Sequence, residues 1–131
     1  EAGLAFSNAS LGAVHAMAHS LGGYKDLPHG ECNALLLPHV IRYNYEAASE
    51  RYDTVAAAIG AVKTGDGKRE VSDAVRDLAK KCGIEGGFAQ RGVSAGDIQR
   101  LAKKAIQDPC NATNPRKPSE KDLEIIYGES L

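Results

Sequence analysis

Ala2-Gly-Leu-Ala-Phe6-Ser-Asn-Ala-Ser-Leu11-Gly-Ala-Val-His15-Ala-Met17-Ala-His19-Ser-Leu21-Gly22-Gly23 puts Ala, Leu, Phe, Val and Met on nearly every face of a helix over residues 2–21. Only short polar interruptions break the pattern. A helix that is apolar all round is a central one, buried by its neighbours, whereas a surface helix keeps a polar face. Gly22-Gly23 predicts its end, because glycine readily takes the left-handed conformation that closes a helix. A chain that opens on its core helix also predicts that something precedes it, since chain ends normally lie at the surface.

The pattern stays helical beyond that stretch. A second helix is predicted from Gly30 to Tyr45, with Pro38 removing one backbone bond inside it and kinking it. A third covers Ser49 to Ile59 and stops at Gly60. The fourth, Arg69 to Cys82, carries Val71, Val75, Leu78 and Cys82 at 3/4 spacing, with Gly83 as its stop. Ser94 followed by Asp97 is a capping-box start for a fifth, Ala95 to Gln107. The prolines at 109, 115 and 118 argue against regular structure between Asp108 and Pro118. Ser119 with Asp122 opens a last helix bearing Leu123, Ile125, Ile126 and Tyr127. No alternating pattern longer than four residues occurs, so the predicted fold is an all-α bundle of about six helices with no sheet.

Charge and cysteine usage narrow the class. The 131 residues carry a net charge of −1, so neither nucleic acid nor an anionic membrane is an expected partner. The longest apolar run, Ala34 to Ile41, is interrupted by Pro38 and His39 and is too short to span a bilayer. Glu1 leads straight into the helical pattern, with no leader-like segment. Cys32, Cys82 and Cys110 are odd in number and widely spaced, which suits free thiols and a cytoplasmic location.

The chemistry concentrates at His15, His19 and His29, three of the four histidines within fifteen residues. His15 and His19 are four apart, so a helix presents both on one face. Pro28 and Gly30 shape a turn that can bring His29 back beside them. Neutral imidazole is a common ligand for zinc and ferrous iron, and an imidazole buried without a partner carries a desolvation cost. The three amount to a partial metal site. Asp26, the nearest carboxylate, reads as a loop residue, and His39 as a packing histidine with a hydrogen bond of its own.

The run from Gly3 to Gly23, followed by Leu27-Pro-His-Gly-Glu-Cys-Asn-Ala34 and Leu36-Leu-Pro-His-Val40, closely resembles the signature of the iron-containing (group III) alcohol dehydrogenases. Asp108-Pro-Cys-Asn-Ala-Thr-Asn-Pro-Arg116 is similar to that family's late motif. The resemblance implies a C-terminal helical domain, dehydroquinate synthase-like, that holds a metal beside an N-terminal domain binding NAD or NADP. It implies a metal, Fe(2+) with Zn(2+) as the alternative, held by one Asp and three His. The last two of those ligands match His15 and His29. His19 matches a histidine beside the nicotinamide and substrate, which gives it a catalytic and cofactor-binding role. Phe6 and Cys110 match positions lining the substrate channel. The other two ligands and the phosphate-binding glycine loop fall upstream of residue 1, and no GxGxxG occurs within the chain.

Residues 1–131 are therefore expected to be a C-terminal helical domain fragment, inactive alone, of an enzyme acting on small alcohols or aldehydes. The alternative is a standalone helical metal-binding or interaction module without redox activity. Apolar faces left open by an absent domain predict self-association into a homo-oligomer.

Overall fold

The computed structural model describes all of residues 1–131 and contains seven α-helices and no strand. They are α1 (Ala2–Ala9), α2 (Ala13–Lys25), α3 (His29–Asn44), α4 (Ser49–Ala58), α5 (Gly67–Lys81), α6 (Ile98–Ala105) and α7 (Glu120–Glu129). No helix is long and apolar enough to cross a membrane.

The continuous first helix expected from the sequence is two helices. Ser10 breaks it, at φ 62° and ψ −162°, a left-handed conformation that a non-glycine residue adopts only at a cost of roughly 1–3 kcal/mol. Its N–H closes α1 on the Phe6 carbonyl at 2.8 Å. Only the second half is the buried core helix. α2 buries Ala13, Ala16, Met17, Ala18, Ser20 and Leu21, while α1 buries none of its residues. Nor do Gly22 and Gly23 end α2. The left-handed position falls to Asp26, at φ 54°, whose N–H reaches the Gly22 carbonyl at 3.0 Å. Asp tolerates that conformation because its short polar side chain can bond locally.

α2 is held on several sides. It packs on α3 and α6, and α7 lies against α6 and α3. Met17, Leu21, Cys32, Leu36, Val40, Phe88, Leu101, Leu123 and Tyr127 meet in one apolar core. Each buried side chain of Leu or Met size contributes about 1.5–3 kcal/mol of burial. Polar groups inside that core are paired. Tyr127 donates its hydroxyl to the Met17 carbonyl at 2.8 Å, and Ser20 donates to the Leu101 carbonyl at 2.9 Å. α3 continues without a break through Pro38, which is buried. Farther along, α3 joins α4 and α5 in a second, smaller cluster of Ile41, Ala56 and Val71.

Both expected capping boxes form. Asp97 accepts from the Ser94 N–H at 2.8 Å and Asp122 from the Ser119 N–H at 2.8 Å. The fifth helix is shorter than its pattern, a 3-10 turn at Ala95–Asp97 leading into α6. The proline-rich stretch after it is not wholly irregular, because Pro109–Thr113 forms a 3-10 turn capped by Asp108.

Candidate metal centre and its framing loop

His15 and His19 leave α2 one turn apart, and His29 is the first residue of α3, entered through Pro28. The short connection between the helices brings the three rings together. Their centroids lie 6.1 Å apart for His15–His19, 5.3 Å for His15–His29 and 5.2 Å for His19–His29, the last pair stacked. Burial lowers the pKa of His15 first, and the neighbouring His29 and His19 lower it further. Both effects favour the neutral ring, the form that carries a lone pair for a metal. Imidazole nitrogens are donors of the kind that suits a divalent transition metal. At His29, Nε2 is 2.9 Å from the Asn33 side-chain nitrogen, so a cation at that atom would displace the amide.

The late loop closes one side of the cluster. Asp108 stands 2.8 Å from His19 Nδ1 through Oδ2, and its Oδ1 accepts from the Cys110 N–H at 2.8 Å. Burial works against the Asp108 charge, yet the Cys110 N–H and His19 together hold its carboxyl below the usual carboxylate range. The Cys110 thiol is pushed up to about 11 by burial and by the adjacent Asp108 carboxylate. Ligand atoms of His19, Asp108 and Cys110 all lie within 4.8 Å of one another. These three already satisfy each other with protons, so they read as a hydrogen-bonded set rather than a second cation site.

The same loop fixes where α2 begins. Asn114 accepts the Ala13 N–H at 3.0 Å and exchanges two amide bonds with Asn44 of α3, at 3.0 and 2.7 Å. Thr113 donates its hydroxyl to the Leu11 carbonyl. One loop thus holds the start of the histidine helix through Asn114 and its second histidine through Asp108.

Of the residues singled out from the sequence, His15, His19, His29 and Cys110 share this corner of the molecule. Phe6 stands on α1, 54% exposed and outside both cores. His39 is apart from the cluster as expected, but it lacks the expected hydrogen bond: its Nδ1 lies 3.6 Å from Glu129. Asp26 serves only as the α2 cap. All three cysteines are free thiols. The sequence alone assigns Asp108 no role. An Asp-Pro pair predicts a turn, and nothing local says that the turn faces a histidine 89 positions earlier.

Clustered imidazoles at one end of a helical domain, with a capping loop across them, mark a candidate metal-holding domain, and the comparisons with known proteins give the family. Residues 1–131 match the model of the Fe-containing alcohol dehydrogenase family, C-terminal part, and the chain belongs to that family. It is 41% identical over 134 residues to 1,3-propanediol dehydrogenase of Klebsiella pneumoniae, covering 99% of this chain and 35% of that protein. Lactaldehyde reductase of Escherichia coli (strain K12) is 39% identical over 130 residues, covering 96% of this chain and 34% of that protein. The crystal structure of a 1,3-propanediol oxidoreductase superposes with a TM-score of 0.94 at 40% identity, over 99% of this chain and 35% of the other. The chain spans about a third of the length of the curated relatives it matches.

Proposed function

We propose that residues 1–131 are the helical, metal-holding domain of an iron-dependent alcohol dehydrogenase that works with a nucleotide-binding domain outside these residues. The complete enzyme interconverts small alcohols with aldehydes or ketones, using NAD or NADP. The observation that carries this reading is the convergence of the His15, His19 and His29 rings, 5.2 to 6.1 Å between centroids, at the junction of α2 and α3. The match to dehydrogenases along the whole chain disfavours a free-standing module without redox chemistry.

His15 and His29 would hold Fe(2+), or Zn(2+) in its place, together with ligands from outside the chain. A metal bound there supplies a Lewis acid for the substrate oxygen. His15 serves by staying neutral, and the rigid core beneath Met17 and Leu21 keeps its helix in place. His19 is exposed, stacks on His29 and is bonded to Asp108, which suits a residue that takes up the hydroxyl proton beside the nicotinamide. Phe6 and Cys110 would line the substrate channel, the ring excluding water and the protonated thiol presenting a small, weakly polar wall. The exposed Leu4 and Phe6 suit a contact with further protein, either the nucleotide-binding domain or a second copy in a homo-oligomer.

The test is an exchange. Residues 1–131 would replace the matching third of the Klebsiella pneumoniae 1,3-propanediol dehydrogenase, and the chimera would be assayed for metal content and NAD-linked alcohol oxidation. Metal and turnover are expected in the chimera and not in the isolated chain. His15→Ala and His29→Ala are each expected to remove both. Turnover by the isolated chain, or metal that survives both substitutions, would overturn the assignment.

A further inference from the structure

Asp108 has both oxygens committed. Oδ1 accepts the N–H of Cys110, two residues on, so the carboxylate is part of its own turn. Oδ2 lies 2.8 Å from His19 Nδ1. The turn is anchored independently of the histidine, because Asn111 donates to the Ala105 and Asp108 carbonyls and Thr113 to that of Leu11. The carboxylate is therefore presented to His19 by a fixed frame and does not follow the ring. An ionised carboxylate only accepts hydrogen bonds, so the proton between the two groups belongs to the imidazole. With that proton on Nδ1, a neutral ring has its lone pair on Nε2.

We propose that Asp108 is the positioning residue that fixes His19 in its Nδ1–H form, leaving Nε2 as the nitrogen that accepts a proton from substrate. The bookkeeping of protons is simple. The alcohol O–H bond breaks, an N–H bond forms at Nε2, and the positive charge gained by the ring faces the Asp108 carboxylate. The proton is later returned to water. A ring held in the opposite form offers a hydrogen where a lone pair is needed and cannot take that proton. The assignment of the proton to Nδ1 is independent of what the domain does, whereas its use rests on the dehydrogenase reading above.

The first measurement is a long-range proton–nitrogen correlation spectrum of the histidine rings in this chain, taken at a pH well above the ordinary imidazole range. The wild-type chain is expected to carry the His19 proton on Nδ1. Asp108→Asn keeps the oxygen that accepts from Cys110 N–H but turns a donating amide toward His19. The proton is then expected to move to Nε2. Asp108→Ala removes the acceptor altogether, and the ring is expected to move the same way, toward the form favoured by free neutral histidine. His39 gives the internal control and should not change. An Nε2–H ring in the wild-type chain, or an Nδ1–H ring that persists in both variants, overturns the proposal; the wild-type spectrum decides even if a variant fails to fold. In the chimera, Asp108→Asn is expected to lower kcat about 100-fold with little change in KM or metal content. A wild-type chimera without turnover would count against the dehydrogenase reading while leaving the position of the proton standing.

Discussion

α1 and α2 come from one apolar stretch, and the molecule treats them oppositely. α2 is buried to the point that Met17 and Leu21 are wholly inaccessible, whereas Leu4 of α1 is 72% exposed. The two differ little in apolar content. They differ in what grips them. Asn114 holds the first turn of α2, Ser20 and the Met17 carbonyl bond to α6 and α7, and Lys25 at its end pairs with Asp97 at 2.9 Å. α1 has no side-chain bond to any other element beyond its own Asn8-to-Leu4 contact. Apolar composition thus states what a helix is able to bury, and polar contacts at its two ends state where it is fastened.

The largest effect that would test this contrast is in the middle of α2. Met17→Ala removes a fully buried side chain from the centre of the main core. It should destabilise the chain by about 2–5 kcal/mol, read from denaturant unfolding. A loss of under about 1 kcal/mol would mean that the core collapses around the gap and that α2 is not its centre.

Next comes the grip on the first turn. Asn114→Ala strands the Ala13 N–H and the side-chain amide of Asn44, a buried residue, and should cost about 1–3 kcal/mol. Hydrogen exchange should quicken in the first turn of α2 more than in α5. Unchanged protection of that turn in Asn114→Ala would show that packing alone fixes the helix, and the contrast with α1 would lose its polar half.

These two tests separate what the sequence reveals from what it conceals. The all-α class, both capping boxes and the histidine cluster are legible because each rests on spacing along one segment. His15 and His19 need only the 3.6-residue period, and Ser94 with Asp97 only a three-residue offset. The break at Ser10 is not legible, because the bonds that hold the residues just after it, from Thr113 to Leu11 and from Ala13 to Asn114, reach across a hundred positions. The helix runs through Gly22-Gly23 for a related reason. Glycine permits a stop without requiring one, and Asp26 supplies it. The role of Asp108 is illegible on the same ground. Its role belongs to a pairing in space, while its local sequence announces only a turn. The family resemblance supplied roles for His19, Phe6 and Cys110 that spacing alone does not carry.

A smaller effect concerns the far end of α2. Lys25 above all, then the Ser94 N–H and hydroxyl, hold the Asp97 carboxyl well below its usual range. A carboxylate with a depressed folded-state pKa adds stability that is fully present above its unfolded pKa and is lost as the pH falls, because the unfolded chain takes up the proton first. The chain should therefore lose stability as the pH drops below about 4. Asp97→Asn should flatten that acid limb and lower stability at neutral pH. Unfolding midpoints collected from neutral to acid pH would show it. An unchanged acid limb would mean that the Lys25 contact does not persist in solution.

The smallest effect is the one that bears most directly on the contrast. Phe6→Ser exchanges a large ring for a small polar group on a helix that buries nothing, so there is no packing to lose and no cavity to open. A substitution away from such features changes stability by within about 0.5 kcal/mol. The expected result is an unfolding curve that overlays the wild type for the monomer, with weaker self-association in sizing at high concentration if Leu4 and Phe6 form the sticky face. A destabilisation near that of Met17→Ala would break the comparison outright. It would mean that α1 folds back onto the domain in solution, and that the strained turn at Ser10 is a hinge between a docked and an extended helix rather than the fixed end of one.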